Sequence, residues 1–183
     1  MRYLTPKWLA VYGYLLIVLI ATPCLPLLIR WASSRWSAGS ISGFVLGVEI
    51  SLGVLLIVSA GGVFFHNRQK FPPFALIIGG LIAFACLFYL VIPNPYELTH
   101  FPEYAILGVL ILRAIKERQG RTAEKANEIY LYFSSAMITA AFGTIDEIYQ
   151  GVLPSRYFTW YDIVLNGLGG LLGLTVLWAL TRE

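Results

Sequence analysis

Three short stretches hold most of the side chains able to do chemistry: "HFPEY" at 100–104, "DEIYQG" at 146–151 and "PSRYFTWYDIVLNG" at 154–167. They contribute His100 and Glu103, then Asp146, Glu147 and Gln150, then Arg156, Asp162 and Asn166. Imidazole and carboxylate groups serve general acid and base catalysis, and a guanidinium holds an anionic group such as a phosphate. His100 and Glu103 stand at i and i+3, while Asp146 with Gln150 and Asp162 with Asn166 stand at i and i+4, so each pair shares one face of a helix. The candidate catalytic residues are therefore His100, Glu103, Asp146 and Glu147, and the candidate binding residues are Gln150, Arg156, Asp162 and Asn166. A metal version of the site would use His100, Glu103, Asp146 and Glu147 as nitrogen and oxygen ligands. The chain contains no H-E-x-x-H, no cysteine set and no G-x-S-x-G, so no metal and no covalent nucleophile is signalled, and the cofactor is left unassigned.

The elements that must position these residues follow from composition. Of the 183 residues, 58% are hydrophobic and only 13% charged, with a mean hydropathy of +0.73, which is the composition of an integral membrane protein. A spanning helix needs roughly 20 mostly apolar residues. Runs of that kind, bounded by charges, prolines or glycines, predict six spans at about 8–29, 41–65, 72–92, 100–115, 127–150 and 159–180. The fold class is all-α: a polytopic integral membrane helical bundle forming a single domain over 1–183. The apolar N-terminal stretch exceeds ordinary signal-peptide length and lacks an Ala-x-Ala-like cleavage site, so it reads as a span. Cys24 and Cys86 both lie within spans and read as small hydrophobes rather than a disulfide pair.

Lysine and arginine mark cytoplasmic segments. With an inside N-terminus, Arg2, Lys7, Arg68, Lys70, Arg113, Lys116, Arg118, Arg121, Lys125 and Arg182 fall inside, against Arg30, Arg35 and Arg156 outside, a ratio of ten to three. Both termini are thus expected in the cytoplasm, and the basic loop between spans four and five reads as a topology determinant rather than a nucleic-acid patch. Span five then ends at the outer face with Asp146, Glu147 and Gln150, and spans four and six begin there with His100 and Asp162. A charge well inside a bilayer costs at least about 2.5 kcal/mol, so such groups face a bundle interior or a wet cavity. Glu49, deeper on span two, is a candidate for the same cavity.

Part of this has a purely architectural explanation. Thr159 and Asp162 form a T-x-x-D capping box, Tyr149, Tyr157, Phe158, Trp160 and Tyr161 an aromatic interface belt, and Gly169 with Gly173 a G-x-x-x-G packing motif. His100 together with Glu103, Asp146 and Glu147 is not explained this way, because one arginine cannot pair them all.

The H-x-x-E-Y start to one helix, the D-E-x-x-Q end of the next, and the R-x5-D-x3-N spacing from Arg156 through Asp162 to Asn166 before a glycine-rich helix resemble the VanZ-like family of bacterial membrane proteins. The motifs cover about 85–180, and the first two spans, 1–70, lie outside that resemblance. The family is named for a protein associated with lower susceptibility to teicoplanin, so the resemblance implies the bacterial cytoplasmic membrane and a theme of the cell envelope and antibiotic resistance. Expected partners are membrane lipids and a lipid-linked envelope precursor or lipoglycopeptide, with no nucleic acid. Two readings compete. In one, the polar cluster is catalytic, with Glu103 or Asp146 as general base, His100 as acid or base and Arg156 holding an anionic group; in the other, it is a non-catalytic network that pins three helices together and recognises a lipid or antibiotic.

Overall fold

The computed structural model describes residues 5–37, 99–119, 127–154 and 156–181, with a few isolated positions between 39 and 79. The expected spans at 41–65 and 72–92, together with Glu49 and Cys86, otherwise lie outside the described residues. Among the described residues the chain forms four long helices and no strand: α1 Pro6–Ser33, α2 His100–Gln119, α3 Glu128–Val152 and α4 Trp160–Thr181. They correspond to the expected spans one, four, five and six.

Local chemistry sets their limits. Thr5 caps α1 by accepting from the Trp8 amide at 3.5 Å, and Pro6 occupies a first-turn position where its missing N–H costs nothing. Pro102 is tolerated in the first turn of α2 for the same reason. Asn127 caps α3 through the Ile129 amide at 3.0 Å, and α3 stops where Leu153 turns extended just before Pro154. Thr159 then opens α4.

Helix α3 carries its polar residues inward and its apolar residues outward. Its buried stripe is Leu131, Ser135, Thr139, Gly143, Asp146, Glu147 and Gln150. Ile129, Phe133, Met137, Ile145, Ile148 and Val152 point away from the bundle, with Val152 79% exposed. In water this arrangement would expose a costly apolar face. In hydrocarbon it is favourable, because small and polar residues allow close helix approach and interhelical bonding while large apolar ones meet lipid. Ser135 and Thr139 satisfy their hydroxyls on the carbonyls of Leu131 and Ser135, each at 2.7 Å, so the stripe exposes few unmet donors.

Helix α4 packs most extensively on α2, then on α3. Glycines make the first contact possible: a Cβ at Gly169 would collide with the Phe101 carbonyl and one at Gly173 with the Ala105 carbonyl. The G-x-x-x-G expectation thus holds in its packing sense. Helix α1 lies against α2 through Trp8, Val11, Tyr104, Leu107, Ile111 and Ala114. Two long-range bonds pin it: the Thr5 hydroxyl donates to Glu117 Oε2 at 2.8 Å and the Tyr14 hydroxyl donates to the Glu103 carbonyl at 3.0 Å. The start of α1 therefore meets the end of α2, so the two run antiparallel. By length and composition, α1 and α4 are apolar enough to cross a membrane. Helices α2 and α3 are long but more polar, because their ends and the α3 interior face carry the charges.

Candidate functional site

The first turn of α2, the last two turns of α3 and the first two turns of α4 meet at one end of the bundle. His100 is the first residue of α2 and is 5% exposed. Asp146, Glu147 and Gln150 are buried near the end of α3, and Asp162 and Asn166 are buried on α4. One donor atom from each of His100, Asp146 and Glu147 lies within 4.8 Å of the other two. This tight group joins α2 to α3, while Asp162 and Asn166 of α4 adjoin it through the Thr159 and Gly143 contacts.

Adjacent residues on a helix point in directions about 100° apart, and here Asp146 and Glu147 serve different neighbours. Asp146 acts on His100 and Tyr104 of α2, whereas Glu147 reaches α4. Gln150 ties the two acids together: its amide nitrogen donates to Asp146 Oδ2 at 2.9 Å and to Glu147 Oε1 at 3.1 Å. The other Glu147 oxygen, Oε2, accepts the Thr159 backbone N–H at 3.2 Å.

That last bond revises the capping box. As expected, the Asp162 amide donates to Thr159 Oγ1 at 3.2 Å, and the Thr159 hydroxyl donates to Asp162 Oδ2 at 2.6 Å. In a complete box the acid at the third helical position would also take the cap's own N–H. Glu147, from the preceding helix, takes it instead, so the entrance to α4 is fixed by a side chain twelve residues earlier in the chain. Asn166 completes the cross-links by donating from Nδ2 to the Gly143 carbonyl at 3.4 Å. Gly143 is required there, because a Cβ would stand 2.7 Å from the Asn166 Cβ.

Several polar atoms remain without a protein hydrogen-bond partner despite complete burial: His100 Nδ1, Asp146 Oδ1, Asp162 Oδ1 and Asn166 Oδ1. Each such atom costs about 1–3 kcal/mol unless a water, ion or ligand meets it. Arg156 is half-buried and influences His100, Glu103, Glu147 and Asp162 through space, not by an ion pair. The described close charge pair, Lys116 with Glu128 at 3.7 Å, sits at the far end of the bundle.

Of the sequence-predicted residues, His100, Asp146, Glu147 and Gln150 form the centre, and Asp162 and Asn166 adjoin it on α4. Glu103 lies nearby, within the electrostatic reach of Asp146 and Arg156, but stands outside the three-residue group. Sequence reasoning missed Tyr104, which is 2% exposed, with its ring 6.3 Å from that of His100. Its position four residues after His100 was the available sign, since i and i+4 share a face. It also missed the Thr159 N–H as a clamp on Glu147, which no local pattern announces.

Among the described residues the structure thus defines an all-helical protein with two helices long and apolar enough to cross a membrane and a buried acidic cluster shared by three helices. A match to the family model described as VanZ/LLP1 extends over residues 11–181, and the chain belongs to that family, whose name is associated with antibiotic resistance. The match includes most of α1 as well as the motif-bearing helices. No curated protein and no solved structure matches the chain.

Proposed function

We propose that the cluster is the working site of a polar pocket open to the outer face of a bacterial cytoplasmic membrane. Its target is the cell envelope: a lipid-linked precursor or an envelope-directed glycopeptide antibiotic such as teicoplanin. In this reading the chain is a six-span, single-domain bundle with both termini in the cytoplasm. The antiparallel course of α1 and α2 supports that topology, since Lys7 at the start of α1 shares an end with Lys116 and Arg118, while the acidic cluster lies at the other end. His100, Glu103, Asp146 and Glu147 take the acid–base roles, and Gln150, Arg156, Asp162 and Asn166 orient the bound molecule.

The observation that carries the proposal is the set of buried acceptors left unmet: Asp146 Oδ1, Asp162 Oδ1 and Asn166 Oδ1, together with His100 Nδ1. A network whose sole task is to pin helices gains by satisfying its members, because a half-satisfied buried network is worse than an apolar interface. The unmet atoms are groups held ready for something that is not protein. Four acids against one arginine also mean that a phosphate would enter accompanied by a cation.

The pinning alternative, a non-catalytic lipid- or antibiotic-binding protein, draws support from the Asn166–Gly143 and Thr159–Glu147 bonds, which do join α3 to α4. Binding of purified lipid-linked precursor or teicoplanin to the protein in nanodiscs, followed by tryptophan fluorescence, tests the proposal. Trp160, 73% exposed beside the cluster, is the natural reporter. Asp146→Asn and Glu147→Gln should weaken binding at least about tenfold, equivalent to about 1.4 kcal/mol. Equal binding by the wild type and both variants would contradict it.

A further inference from the structure

We infer that His100, Asp146 and Glu147 bind a divalent first-row transition metal of the zinc and manganese class at the end of the bundle where α2, α3 and α4 meet. This deepens the reading of the same site given above and rests on it for the metal's use, but not for its binding.

Geometry is the first support. The three donor atoms lie within 4.8 Å of one another, yet His100 Nδ1 has no hydrogen-bond partner and the ion pair among the described residues is Lys116 with Glu128, not His100 with an acid. Groups meant to bond each other directly would sit closer. Ligands about 2.0–2.2 Å from a tetrahedral metal are about 3.4 Å apart, so atoms within 4.8 Å of one another need close by no more than about 1.4 Å on binding, a side-chain adjustment.

Unmet, buried donor atoms are the second and independent support. His100 and Asp146 are each 5% exposed, and His100 Nδ1 and Asp146 Oδ1 have no protein hydrogen-bond partner. The oxygens that are already bonded are bonded in the manner of an outer shell. Gln150 holds Asp146 Oδ2 and Glu147 Oε1, and the Thr159 N–H holds Glu147 Oε2. Such bonds fix the orientation of ligating carboxylates while leaving lone pairs for the ion.

Charge is the third. Two buried carboxylates without a contacting cation cost several kcal/mol each to desolvate. A dication with a neutral imidazole and two carboxylates brings the local charge to zero. One nitrogen and two oxygens suit zinc or manganese better than calcium or magnesium, which prefer oxygen alone. Three protein ligands also leave a position for water or a substrate oxygen, as in catalytic rather than structural sites.

Metal content decides the matter. Full-length protein in detergent, stripped with chelator and reloaded with zinc chloride, should hold one zinc per chain by elemental analysis, and manganese should compete for it. His100→Ala and Asp146→Asn should weaken zinc binding more than about 100-fold, Gln150→Ala about 10- to 100-fold, and Glu128→Gln, on the far end of α3, not at all. Zinc held equally by His100→Ala and wild type, or less than one-tenth of an equivalent in wild type, would overturn the site. Should a ligand variant fail to fold, cobalt loading of wild type decides instead: visible absorption bands that zinc abolishes support the site, and their absence overturns it. Protein that binds no metal yet still binds envelope precursor or antibiotic refutes this inference and leaves the proposed function standing.

Discussion

Asp146→Asn in metal-free protein separates a working site from a scaffold by its effect on stability. Asp146 and Glu147 are 5% and 0% exposed, and the only described bond shared between them is through one neutral amide, Gln150. The two carboxylates approach within 4.8 Å, and like charges at that range repel by about 3 kcal/mol at an effective dielectric constant of about 20. The asparagine keeps an oxygen to accept from Gln150 and places an amide where Asp146 Oδ1 had no partner. The substitution removes repulsion and keeps an oxygen to accept from Gln150, so it should stabilise the chelated protein by about 1–3 kcal/mol. For a chain of this size that is a rise in Tm of about 2–4 °C per kcal/mol. Thermal unfolding followed by tryptophan fluorescence, with chelator present, measures it. If Asp146 is instead a member of a pinning network, removing its charge breaks buried pairs and costs about 3–5 kcal/mol. A fall in Tm of 5 °C or more would refute the reasoning.

Other expectations follow from the packing and the topology. Gly173→Ala, whose Cβ would collide with the Ala105 carbonyl, should cost about 1–3 kcal/mol, whereas Gly167→Ala, with nothing within 4 Å of its Cβ, should be neutral or stabilise by up to about 1 kcal/mol; their unfolding temperatures compare the two directly. Thr159→Ala removes the hydroxyl that accepts from Asp162 N and should cost about 1 kcal/mol, with Thr159→Ser restoring most of it. In a background lacking Cys24 and Cys86, Glu97→Cys and Ser155→Cys should react with an impermeant thiol reagent applied from outside the cell, and Thr122→Cys should not; labelling of Thr122→Cys alone inverts the topology.

Much of this was legible from residue type and spacing. The ends of α1, α2, α3 and α4 fall within a few residues of the predicted limits, because caps, prolines and charge boundaries are local features. The meeting of His100 with Asp146 and Glu147 agrees with the sequence expectation that the stretches at 100–104 and 146–151 share one end of the bundle. The inside-out character of α3 was not legible: Ser135, Thr139 and Gly143 carry no charge and belong to no motif, and only packing shows that they form its buried stripe. Glu147 illustrates the limit. Its carboxylate takes the cap N–H that Asp162 would take in a self-contained capping box, and a contact chosen between two helices leaves no mark in a local pattern. The same holds for metal ligation, since ligands divided between α2 and α3 produce no short motif.

The central claim, that the cluster acts on something other than the protein itself, is tested most directly in cells that carry the gene for the chain. Asp146→Asn, Glu147→Gln and a full deletion would be compared for susceptibility to teicoplanin and to envelope stress, with the amount of folded protein in the membrane measured alongside. The account predicts that both variants match the deletion while their membrane abundance equals that of the wild type. Variants that behave as wild type, or that lose function only in proportion to lost folded protein, would contradict it.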